Sequence, residues 1–83
     1  LNTVVRGSFL HITLPPIFKK SETIGEVQLY CIADEKGDMT KQIKSNNGEL
    51  VLALLTKMKG NYIVKLTIQN NGVDYYFEKK IML

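Results

Sequence analysis

Between Lys59 and Gln69 the chain reads Lys-Gly-Asn-Tyr-Ile-Val-Lys-Leu-Thr-Ile-Gln. Tyr62, Val64, Leu66 and Ile68 alternate with Asn61, Ile63, Lys65, Thr67 and Gln69, the two-residue period that sends apolar side chains to one face of a β-strand. Gly60 marks the corner by which the chain enters that strand. Any fold for this sequence must give the apolar face of this strand a core to cover it.

The rest of the chain carries the same grammar in shorter pieces. Asn2 to Arg6 holds the β-branched run Thr3-Val4-Val5, and Gly7-Ser8 then permits a bend. Phe9, His11 and Thr13 alternate with Leu10, Ile12 and Leu14, a second strand that Pro15-Pro16 stops because proline cannot donate to a ladder. Ile17 to Gly25 has no firm period and reads as a loop, with room for a short edge strand, crossing between sheets. Glu26 to Ala33 is a third strand, with Val27, Leu29 and Cys31 on one side and Gln28, Tyr30 and Ile32 on the other; apolar groups on both sides near its end predict a central strand. Asp34-Glu35-Lys36-Gly37-Asp38 fits a hairpin loop built round a type I turn. Met39 to Lys44 is the returning strand, placed at an edge by its lysines. Ser45-Asn46-Asn47-Gly48 is a further turn.

Glu49 to Lys59 supports two readings. Its leucines, alanine, lysines and methionine form helices well, with Asn47 and Gly60 placed to cap them. Alternation of Leu50, Leu52 and Leu54 between short turns favours a strand. Asn70-Asn71-Gly72 then suits a tight turn at positive φ, and Val73 to Leu83 closes a hairpin with Val73, Tyr75, Phe77 and Ile81 on one face and Lys79 near the rim.

Eighty-three residues make one domain, 1–83, with a modest core. The composition, 45% hydrophobic and 23% charged, is that of a globular chain. Arg6 is the only arginine among 11 basic residues, and the net charge is +3. Arginine serves bidentate phosphate and base recognition, so its scarcity argues against a dedicated nucleic-acid reader. The doublets Lys19-Lys20 and Lys79-Lys80 read as solvated faces or edge protection. No apolar run approaches the ~20 residues of a membrane-spanning helix. The chain opens on Leu1 rather than Met, which reads as a processed or truncated product whose signal segment would lie outside it.

Short extended segments divided by turns predict an all-β chain, an immunoglobulin-like β-sandwich of about seven short, mainly antiparallel strands. In such sandwiches a tyrosine near the start of the penultimate strand bonds back to upstream backbone, and Gly60-Asn61-Tyr62 stands where that corner falls. The run Asp34-Glu35-Lys36-Gly37, then Leu50-Val51-Leu52, Lys59 to Leu66, Asn71-Gly72 and Tyr76 resembles the small secreted immunoglobulin-like domains of Bacteroidetes. These include an uncharacterised family and the C-terminal sorting domains of type IX secretion substrates. The likeness spans Glu26 to Leu83. It implies export to the periplasm or cell surface and a non-catalytic role, and it carries no active-site residue across.

The residues themselves assemble no catalytic or cofactor motif. His11, the lone histidine, reads as a packing or surface residue. Cys31, the lone cysteine, permits no internal disulfide or cysteine-based metal site and reads as a small buried hydrophobe. A Cys31–His11 pair would require adjacency in space and an activated thiolate. Asp34, Glu35 and Asp38 lack the ligand spacing of an EF-hand. Glu22 and Glu26 make no glycosidase pair by sequence alone. Tyr75 and Tyr76 must face opposite ways in a strand, leaving one exposed as an anchor for a protein or sugar. The expectation is a non-enzymatic, secreted or envelope-associated structural or binding module for a protein or glycan, without cofactor or metal. A small basic β-barrel binding single-stranded nucleic acid through lysines and aromatics is the alternative.

Overall fold

A computed structural model describes residues 2–19, 22–33, 38–45, 47–55 and 58–83. The alternating stretch becomes strand β6, Asn61–Asn70, and buries Tyr62, Val64, Leu66 and Ile68. Before it come β1 (Asn2–Arg6), β2 (Phe9–Thr13), β3 (Thr23–Cys31), β4 (Met39–Ser45) and β5 (Glu49–Ala53), and after it β7 (Val73–Met82). They form two antiparallel sheets, β1-β2-β5 and β4-β3-β6-β7. This is an antiparallel β-sandwich in which the fourth strand pairs with the third, whereas in constant-type immunoglobulin domains it joins the other sheet. The two sheets are separate and do not close into a barrel.

The core lies between the sheets. Leu10, Ile12, Leu50 and Leu52 descend from one, and Val27, Leu29, Val64, Leu66 and Ile68 rise from the other. Each apolar side chain so buried contributes roughly 1.5–3 kcal/mol relative to an exposed one.

Turn chemistry fixes the register. Gly7 at φ 60° opens the two-residue turn between the paired Arg6 and Phe9, the pattern of a II′ hairpin. Asn71 at φ 52° and Gly72 at φ 75° join the paired Asn70 and Val73, the pattern of a I′ hairpin. At its other end the β6–β7 ladder closes where Gly60 and Leu83 exchange both backbone hydrogen bonds, at 2.9 and 2.8 Å.

The segment between β2 and β3 differs from the expected loop. Pro16–Phe18 forms a 3₁₀ turn that drives Phe18 into the core, where its ring meets Tyr75 edge-on at 5.1 Å. Strand β3 then begins at Thr23 rather than Glu26 and stops at Cys31 rather than Ala33. Thr23 is fully buried and accepts a 3.1 Å hydrogen bond from Asn70 Nδ2, so it belongs to the sheet despite its polarity. The third strand is central, as expected, by pairing with β4 and β6. Its outward Tyr30 and Ile32 are exposed, so centrality comes from pairing and not from burial on both faces.

Glu49 to Ala53 is strand, which settles the helix-or-strand ambiguity for that part. The chain reaches β5 by passing from one sheet to the other. The buried Ser45 hydroxyl donates to the Glu49 carbonyl at 2.6 Å, and the Glu49 N–H donates to Asn47 Oδ1 at 3.1 Å. The expected type I turn at Asp34 to Gly37 lies outside the described residues.

Candidate binding surfaces

Strand alternation decides where each candidate residue goes. His11 shares the outer face of the three-stranded sheet with its partners Val4 and Val51, whereas Cys31 is buried on the core side of the opposite sheet. The structure does not bring the two together. His11 Nδ1 instead lies 2.9 Å from Glu49 Oε1, and the Cys31 backbone N–H donates to Asp38 Oδ1 at 2.8 Å. Glu22 and Glu26 are both exposed, Glu26 on the outer face of β3. Asp34 and Glu35 lie outside the described residues. Among the described residues no three histidines, cysteines or carboxylates gather in one place.

The outer face of the three-stranded sheet carries exposed apolar side chains on a regular backbone. Register lines up Arg6, Phe9 and Ala53 in one cross-strand row, Val4, His11 and Val51 in the next, and Asn2, Thr13 and Glu49 in a third. Val4, Phe9 and Val51 are 46, 46 and 44% exposed. His11 sits among them, 2.9 Å from Glu49, so the exposed apolar group of Val4, Phe9 and Val51 is bordered by Arg6 in one row and by Asn2, Thr13 and Glu49 in another. Alternation groups Phe9 with His11 and Thr13 on one side of β2 without fixing which side faces solvent; the structure makes it the outer side, where Val51 of β5 is exposed as well.

The outer face of the four-stranded sheet is of a different kind. Ile24, Glu26, Gln42, Thr67, Gln69 and Asp74 line a shallow polar depression of about 190 Å³. Tyr76 is 58% exposed, while Tyr75 turns inward onto Phe18, as their adjacency on one strand requires. Lys65 Nζ stands 5.1 Å from the centre of the Tyr30 ring, a cation–π contact of modest strength at an exposed site. The lysine doublets divide: Lys80 faces outward, Lys79 pairs with buried Val64 and so points to the core side, and Lys19 is exposed beyond the 3₁₀ turn. Lys20 lies outside the described residues.

A third feature is an open apolar cavity of about 390 Å³ at the Gly7 end of the sandwich, walled by Val5, Leu54, Leu55, Met58 and Leu83. It lies where β1 and the end of β7 leave the gap between the sheets uncovered. Val5 faces inward in register with Leu10 yet is 45% exposed for this reason.

Gly60 and Tyr62 stand at the entry to β6. Gly60 has φ 98°, and Tyr62, the second residue of β6, is 2% exposed.

The chain matches no protein-family model, and no curated protein or solved structure shows significant similarity to it.

Proposed function

We propose that this chain is a non-catalytic structural or binding module of the secreted, periplasmic or cell-surface space, and that it docks a protein on the outer face of its three-stranded sheet. One observation carries the reading: Val4, Phe9 and Val51, from three neighbouring strands, present exposed apolar side chains on one flat face. Burying such a face stabilises a complex through the area removed from water, and an aromatic anchor among aliphatic neighbours is the usual composition of an interface centre. The aliphatic side chains of Val4 and Val51 near Phe9 suit apolar side chains of a protein partner. The external location rests on the resemblance of the Asp34 to Gly37 turn, the Leu50 to Leu52 strand and the Lys59 to Leu66 strand to the secreted immunoglobulin-like domains of Bacteroidetes.

The test is site-specific photo-cross-linking in cells that make the protein, with the reactive side chain at Val51 or, on the opposite sheet, at Gln42. A discrete adduct with an external protein from Val51, absent from Gln42, is expected. Adducts from neither position, or the same adduct from both, would count against this face.

A further inference from the structure

The sheets of a sandwich stand about 10 Å apart, and side chains from both inner faces fill the space between them. At the Gly7 end that filling is incomplete. Val5 points inward in register with Leu10 and is still half exposed, and Leu55, just beyond β5, is 50% exposed. The apolar cavity of about 390 Å³ that they line extends to Met58, which is only 6% exposed. Leu54 and Leu83, both half-buried, complete its walls. A cavity of this volume lies at the lower end of the roughly 300–1,000 Å³ in which proteins hold small ligands, and such sites are mostly apolar with a few polar groups that orient the guest.

The polar groups here are at the rim. Ser8 and Lys59 line the cavity and both are exposed, and Lys59 is the only charged side chain among the lining residues. Gly7 has no side chain, and no atom stands within 4 Å of where its Cβ would be, so the turn leaves that side of the mouth open. Deeper in, the walls have no donor to spare. The backbone N–H groups of Leu54, Leu55, Met58 and Leu83 already donate to the Ser8 carbonyl, Met58 Sδ, the Leu55 carbonyl and the Gly60 carbonyl, at 2.7, 3.4, 3.0 and 2.8 Å.

We propose that this cavity binds one molecule of a medium-chain aliphatic carboxylate, a free fatty acid, with its alkyl chain between the sheets and its head at Lys59 and Ser8. The interior selects the chain, because a polar group carried in there would lose its hydrogen bonds to water and find no replacement. That excludes a peptide, whose backbone brings such groups at every residue. The rim selects the head, since an ammonium and a hydroxyl both donate to a carboxylate. Met58 suits the back wall, because a flexible thioether repacks around chains of different length. The site is on the inner side of β1, apart from the outer face where Val4, Phe9 and Val51 are exposed, so the inference does not depend on protein docking there.

A nuclear magnetic resonance titration with decanoate, kept below its micelle concentration, tests this. Saturable shifts with one-to-one stoichiometry are expected at Val5, Leu54, Leu55 and Met58, with Phe9 and Val51 unmoved. From hexanoate to decanoate the affinity should rise about fourfold per added methylene. Decyltrimethylammonium, with the same chain and the opposite charge, should bind more weakly than decanoate, and Lys59→Glu should reverse that order. Val5→Trp fills the mouth from an exposed position and should abolish binding with the β-sheet circular dichroism retained; Val5→Phe replaces it if the larger ring prevents folding. No saturable binding, shifts that appear only with micelles or that spread to Phe9 and Val51, an order of the two amphiphiles unchanged by Lys59→Glu, or undiminished binding by a folded Val5 variant would each overturn the inference.

Discussion

Gly25 and Leu50 meet across the sandwich: a Cβ placed on Gly25 would stand 2.8 Å from Leu50 Cδ1 and 3.5 Å from Leu66 Cδ1. Both leucines are fully buried, so the Leu50 methyl would have to shift within the core to admit a Cβ. The missing side chain at Gly25 sets how closely β3 and β5 approach. Gly25→Ala should therefore destabilise by about 1–3 kcal/mol through overpacking. Urea denaturation measures it, and an unchanged midpoint would show that the sheets tolerate more separation than this contact implies.

The turn at Asn71-Gly72 makes a separable prediction, because no atom lies within 4 Å of a Cβ at Gly72 while its φ is 75°. Any loss in Gly72→Ala comes from backbone conformation alone, about 1–2 kcal/mol for a left-handed L-residue. Asn71→Gly should be close to neutral, since glycine accepts the same φ freely. Equal losses at both positions, read by thermal melting, would argue against the I′ geometry.

Phe18 anchors the crossing between sheets. Phe18→Ala removes a fully buried ring and its edge-on contact with Tyr75, a loss of about 3–5 kcal/mol. Against a total domain stability of roughly 5–15 kcal/mol this should leave little folded protein on mild heating. A melting curve like that of the parent chain would show that the 3₁₀ turn is dispensable.

What the sequence revealed follows from which interactions are local. The inward set of β6 and the Asn71-Gly72 turn were legible because strand period and turn conformation depend on neighbouring residues. Phe18 was not legible: Pro15-Pro16 breaks the alternation, and only the rest of the fold supplies Tyr75 as its partner. Thr23 and Gly25 fall in a stretch without a firm period, which predicts a loop. Asn70 satisfies the first and Leu50 fills the space left by the second, and both lie far along the chain. The outer-face patch required knowing that β1, β2 and β5 are neighbours, and pairing order is not written in any one strand. Lys79 was expected near a rim; that it shares the core side with Phe77 and Ile81 emerged from the register with β6.

Tyr62→Phe tests the corner. Tyr62 is buried at the start of β6, and no buried side-chain nitrogen or oxygen among the described residues lacks a hydrogen-bond partner. Loss of the hydroxyl should cost roughly 0.5–1.5 kcal/mol, the net worth of an ordinary hydrogen bond. Partner binding should be untouched, since the residue lies in the core and not on the outer face of the three-stranded sheet. Unchanged stability would remove the corner assignment.

The central claim is that the exposed face formed by Val4, Phe9 and Val51 is where a protein docks. Its most direct test is the stoichiometry of a partner co-purified from the native cells with the parent protein and with the Phe9→Thr, Val51→Thr double variant, both of which keep strand-favouring residues. The account predicts a stoichiometric partner with the parent protein and its loss from the variant, with melting temperature and β-sheet circular dichroism retained. Full retention of that partner on the folded variant would contradict it.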